Sequence, residues 1–241
     1  MRKVSHWLAQ RSSTFLEVIH APESAFARSL DGPSYLLPLC VLATSFVLLS
    51  LVQAPFHVQW IQHQMQVAGA SQNQVAAGVA MMQKSQRWAT IAVPVLLFLK
   101  CFLFALVLWL VSQLFLAGIG FSRVLSVVAY SYIPMLFRDA VILFILWIRG
   151  TEALNNPTGL NVAIGLDLLL PHVRMPWSAL AGNINVFELW FLLLLTVGIS
   201  RVGAIHWKRT LAMTLPSWVF VVSVQFGFVA LGLSVRTSLG Q

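Results

Sequence analysis

The stretch AYSYIPMLFRDAVILFILWIRG, residues 129–150, is apolar and long enough to cross a bilayer, yet it holds Pro134, Arg138 and Asp139 in its interior. A charge at the centre of a membrane helix costs about 3 kcal/mol on insertion scales, so such groups turn inward and pair. The solvent follows from composition. Of 241 residues 59% are hydrophobic and 9% charged, and the mean hydropathy of +0.82 is far above that of a water-soluble domain. The apolar runs are continuous, without the alternation of a membrane β-barrel, and each is about as long as a helical crossing of roughly 20 residues. The expected fold is therefore all-α, a polytopic bundle of five transmembrane helices.

Working outward from that stretch, the spans fall at about 34–54, 90–118, 124–148, 186–205 and 211–235, with a short tail at 236–241. Gly118, Gly120 and Arg123 mark a tight turn, which makes the second and third spans an antiparallel hairpin whose depths compare directly. Lys100 lies nine residues from Ile91, and Asp139 nine from Ile148. At about 1.5 Å per residue both sit roughly 14 Å from one face, which pairs them as ions. Arg138 points about 100° away from Asp139 around the helix and needs another partner. Pro134 removes a backbone donor and frees the Tyr130 carbonyl, loosening the helix just before the charges. Lys100, Arg138 and Asp139 form an intramembrane charge cluster. It reads either as a neutralised bundle core or as the path of a small transporter or channel.

Residues 1–33 form a lead-in in which Val4, Trp7, Leu8, Phe15, Val18 and Ile19 recur at helical spacing beside Arg2, Lys3, Arg11 and Arg28. That face lies either on an anionic membrane surface or against the protein's own spans. The Gln- and Ala-rich segment 55–89 has no apolar run long enough to cross and is expected as a solvated loop with one or two surface helices. His57 and His63 within it are six residues apart, on different sides of any helix, so no metal face results. The run from Leu160 to Pro171 is too short to span and suits a re-entrant or interfacial segment. In span five, Ser223 and Gly227 have the four-residue spacing that lets helices pack closely.

Catalysis finds little support. Asp167 and His172 could make an acid/base pair, but no nucleophile sits in a recognisable turn, and no metal-ligand set or cofactor motif is present. Cys40 and Cys101 fall inside spans at unlike depths, which suits packing and not a disulfide. The formal charge of +8 comes from basic residues scattered at span ends, without a basic stripe interleaved with aromatics, so nucleic acid is not an expected partner. With the N-terminus cytoplasmic, Arg2, Lys3, Arg11, Arg28, Arg123, Arg201, Lys208 and Arg209 lie inside, and Lys84, Arg87, Arg149, Arg174 and Arg236 outside. Eight against five favours N-in and C-out.

The chain resembles the Yip family, five-span proteins that in eukaryotes bind Rab-type GTPases. Asp31, Gly32 and Pro33 look like a contracted form of the family's Asp-Leu-x-Gly-Pro signature before span one. Ala129, Tyr130 and Pro134 resemble its Gly-Tyr-x-x-x-Pro signature, with Ala for Gly. Asn185, Phe187 and Trp190 resemble the Asp-x-Phe-x-x-Trp pattern of bacterial members. The chain lacks the long cytoplasmic extension of eukaryotic members and is similar to the bacterial branch, which implies the bacterial inner membrane. The resemblance implies a non-enzymatic accessory or scaffold subunit, beside an ABC-type exporter for instance, or a role in membrane organisation. Its expected partners are the lipid bilayer and a membrane protein or a second copy.

Overall fold

The computed structural model describes residues 17–28, 35–115, 118–150, 162–170 and 177–238. Its helices are α1 (Pro22–Arg28), α2 (Leu36–Val67), α3 (Gln72–Leu114), α4 (Phe121–Ser131), α5 (Ile133–Arg149), α6 (Trp177–Gly182), α7 (Val186–Gly203) and α8 (Trp207–Ser238). Five segments are long and apolar enough to cross a membrane: α2, α3, α4 with α5, α7, and α8 as far as Phe228. Among the described residues there is no strand, only an isolated bridge between Gly165 and Asn185. The all-α, five-span bundle expected from the sequence is the fold.

The first two spans differ from expectation in length. α2 has 32 residues and α3 has 43, so they run about 48 and 64 Å against a hydrocarbon core of about 30 Å. The segment 55–89 is no separate loop: it continues both spans into an antiparallel helical hairpin. Local signals close it. The Gly69 and Ala70 N–H groups donate to the Gln66 and Met65 carbonyls, both at 3.0 Å, with Gly69 at φ 75°. Only glycine takes that left-handed position without strain after a helix end. α3 then opens on a reciprocal cap, in which Ser71 N donates to Gln74 Oε1 at 2.8 Å and Gln74 N to Ser71 Oγ at 3.4 Å. Lower down, Ser50 and Thr90 hydroxyls meet at 3.0 Å and fix the register of the two helices.

The third span breaks where Pro134 demands it. α4 ends at Ser131, Tyr132 turns, and α5 restarts with Pro134 in its first turn. The core gathers around α4, whose residues from Val124 to Ser131 are all buried. Of the lead-in, the described part packs on the bundle: Val18, Ala25 and Phe26 are buried, and the Phe26 ring meets Tyr130 edge-on at 6.5 Å. Gly198 on α7 makes room, since a Cβ there would overlap the Val127 side chain of α4 and stand 3.1 Å from the Phe26 ring carbons. Glu23 and Arg201 pair beside this contact. On the same face, the Trp109 indole and the Gln113 amide donate to the Ile119 carbonyl at 3.1 and 3.3 Å, and Arg209 donates to the Phe115 carbonyl at the end of α3.

Two smaller expectations change. Ser223 is exposed and donates to Val219, while a Cβ on Gly227 would meet nothing within 4 Å, so that pair mediates no helix contact within the described chain. The close α7–α8 contact runs instead through Thr196 and Thr214, whose hydroxyls meet at 2.9 Å in a buried setting. Cys101 is buried in the core, as a small apolar residue should be, whereas Cys40 is exposed.

Candidate functional site

Three helices turn regular stripes toward one cleft. α2 contributes Phe46, Leu49, Ser50 and Gln53; α3 contributes Val93, Leu97 and Lys100; and the Tyr132 turn with α5 contributes Tyr132, Met135, Arg138 and Asp139. Each stripe covers eight residues, seven steps of about 1.5 Å along one helix face, so the cleft is about 10 Å deep. Its volume is about 240 Å³. Gln53, Val93 and Asp139 lie at the end nearer the α2–α3 hairpin, and Phe46, Lys100 and Tyr132 at the far end. Side chains on a helix lean toward its N-terminus. α3 starts at the hairpin and α5 ends on that side, so Lys100 leans toward the hairpin end of the cleft while Arg138 and Asp139 lean down toward Lys100.

The three charges expected to cluster thus line one cavity, but their pairing differs. Arg138 Nε donates to Asp139 Oδ1 at 2.8 Å, and Arg138 Nη1 lies 3.9 Å from Glu188 Oε1. Arg138 reaches Asp139 despite the 100° between their Cα positions, because the long guanidinium arm folds back to its neighbour. Lys100 makes no ion pair within 4 Å among the described residues; its ammonium stands 5.5 Å over the Tyr132 ring. The Lys100–Asp139 pair read from equal depth is not formed, since depth fixes height but not the direction around each helix.

Glu188, in the first turn of α7 at the start of span four, is a participant that the expected cluster did not include. Its side chain is 12% exposed, and its Oε2 accepts from the Trp218 indole at 3.2 Å. The network therefore runs Asp139, Arg138, Glu188, Trp218, and ties α5 to α7 and α8. A water-sized void bordered by Lys100, Tyr132, Glu188, Trp218 and Gln225 sits behind the cleft and carries the polar seam on to α3. The charges that line the cleft and the void behind it signal the role of Glu188: two cations, Lys100 and Arg138, face one acid, Asp139, and Glu188 brings that sum to zero.

The motif positions have structural roles. Tyr130 packs on Phe26, and Pro134 breaks the third span above the cleft floor. Asn185 caps α7: its Oδ1 accepts from Phe187 N at 3.0 Å and Glu188 N at 2.9 Å, while its Nδ2 donates to the Gly182 carbonyl at 2.8 Å. Trp190 stacks on Phe137 at 5.7 Å, one residue before Arg138. Asn185, Phe187 and Trp190 thus set the start and rotation of the helix that brings Glu188 to Arg138. Asp31, Gly32 and Pro33 lie outside the described residues. So does His172, and Asp167 Oδ1 is taken up by the Gly165 N–H at 2.9 Å in a tight turn. Among the described residues no group of three or more His, Cys, Asp or Glu side chains could hold a metal ion.

No curated protein and no solved structure matches the chain. A family model, the Yip1 domain, matches residues 16–229. That stretch takes in all five spans, the third-span break and the capped start of α7, and the chain belongs to the Yip family of membrane proteins.

Proposed function

We propose that this protein is a non-enzymatic accessory or scaffold subunit that holds a membrane-protein partner, an ABC-type exporter being one such partner, in a bacterial inner membrane. The N-terminus is placed in the cytoplasm and the C-terminus outside, in line with the distribution of basic residues. The observation that carries the reading is the α2–α3 hairpin. Beyond the spans it rises about 20 Å on α2 and 27 Å on α3, carries Lys84 and Arg87 and no acidic residue, and exposes Val67 at 72% and Met81 at 77%. A two-helix rod buries only its inner seam, and we read the apolar residues left on its outside as the surface offered to another protein. The charge network of the bundle suits a scaffold, because Arg138 is already neutralised by Asp139 and Glu188.

Affinity isolation of the full chain from its native membrane in mild detergent tests this. A stoichiometric integral membrane protein should co-purify, and Val67→Ser with Met81→Ser should release it while leaving the five-span protein monodisperse. The second reading, a small transporter or channel built on Lys100, Arg138 and Asp139, draws on the 240 Å³ cleft. Ion-coupled flux by the purified protein alone in liposomes would favour it over the scaffold.

A further inference from the structure

The cleft has an ammonium whose hydrogen-bond donors are unspent. Both nearby carboxylates are committed: Asp139 accepts from Arg138 at 2.8 Å, and Glu188 accepts from Trp218 at 3.2 Å with Arg138 at 3.9 Å. Arg138 is in turn held between them. Lys100 carries three N–H donors, yet among the described residues it has no carboxylate within 4 Å and no hydrogen-bond acceptor, only the face of Tyr132. A cation–π contact offers no lone pair to those donors, and an ammonium within the membrane span is costly without one. The free hydrogen-bonding capacity of the cleft therefore lies on the Lys100 ammonium. Gln53 lines the hairpin end of the same cleft, two turns above Lys100.

We propose that the cleft is a binding site for an anionic oxygen group, a phosphate or carboxylate, held on the Lys100 ammonium with Gln53 at the hairpin end. A volume of about 240 Å³ has room for a single headgroup or small anion and falls below the roughly 300–1,000 Å³ of pockets that take drug-sized molecules. Two sources supply this chemistry, the headgroup of an anionic lipid that slides between the helices and a free anion. The site stands independently of the partner reading, since no residue of it lies on the exposed hairpin.

The test is native mass spectrometry of the full-length protein released from phosphatidylcholine nanodiscs with added phosphatidylglycerol, with inorganic phosphate as competitor. The wild type should retain phosphatidylglycerol over phosphatidylcholine. Lys100→Met should cut that retention about tenfold or more, the loss of one charge-assisted hydrogen bond, and Lys100→Arg should restore it. Val93→Phe, which fills the cleft and leaves every charge and the Ser50–Thr90 contact in place, should reduce retention as well and covers the case in which Lys100→Met does not fold. Lys208→Gln on the opposite face should bind like the wild type. Competition by inorganic phosphate would assign the site to free anions, and its failure to compete would assign it to the lipid headgroup. Equal binding of both lipids with no phosphate bound, or unchanged retention in either folded cleft variant, overturns the proposal.

Discussion

Removing Arg138 should damage the bundle more than removing either acid, because the guanidinium is the one group that faces both Asp139 and Glu188. At 3.9 Å and an effective dielectric near 20, the Arg138–Glu188 attraction is about 4 kcal/mol gross, and the desolvation of both groups offsets much of it. The side chains of Arg138, Asp139 and Glu188 are only 28%, 25% and 12% exposed, so screening by solvent is limited. Arg138→Leu leaves two carboxylates facing an uncompensated site and should cost about 3–5 kcal/mol. Glu188→Leu leaves Arg138 paired with Asp139 but takes the acceptor from the Trp218 indole, for about 2–3 kcal/mol. Glu188→Gln keeps an acceptor for Trp218 and should cost about 1 kcal/mol. The double variant Arg138→Leu/Glu188→Leu should fall short of the sum of its singles by about 1–3 kcal/mol, the coupling of direct partners. The assay is reversible denaturation in mixed micelles, carried through the full double-mutant cycle. Additivity within about 0.5 kcal/mol would refute the network, whatever the size of the single losses.

Gly198→Leu should disturb both the α4–α7 packing and the seat of the lead-in, since even a Cβ would overlap the Val127 side chain and crowd Phe26 at 3.1 Å; the expected loss is about 1–3 kcal/mol, with new protease cleavage near α1, and Phe26→Ala in the same chain should recover only the part due to the lead-in. Asn185→Ala removes the acceptor of two α7 N–H groups and the donor to Gly182, and should cost about 1–2 kcal/mol, visible as faster amide exchange at Phe187 and Glu188. Single cysteines at Gln72 and Gly120 should label from opposite sides of the membrane, Gln72 from outside; labelling of both from one side would break the five-span order.

The spans were legible because burial in lipid demands long apolar runs, and the break at Pro134 because a missing N–H has one structural outcome. The charge cluster was legible as a set: Lys100, Arg138 and Asp139 do line one cleft. Its wiring was not, because pairing depends on how each helix is rotated, and Asn185 and the Trp190–Phe137 stack set that rotation for α7 through contacts distant in sequence. The hairpin was hidden for another reason. Apolar runs reveal where a helix meets lipid, not where it continues into water, and 55–89 is rich in Gln and Ala without a clear apolar stripe. Its punctuation was nevertheless present: Gly69 as a left-handed stop, then Ser71 and Gln74 at capping-box spacing. Of the segment Leu160–Pro171, residues 162–170 are described, and Leu168 and Leu169 there are exposed at 63% and 74%.

The central claim is that the hairpin presents its apolar residues to another protein, and photo-crosslinking in the living cell tests it most directly. A photoreactive phenylalanine analogue in place of Met81, 77% exposed, should give one discrete product larger than the chain itself. Identification of that product as an integral membrane protein, with no product from the same analogue at buried Leu108, is the predicted result. Native-level protein that yields no protein adduct from either Met81 or Val67 would contradict the account.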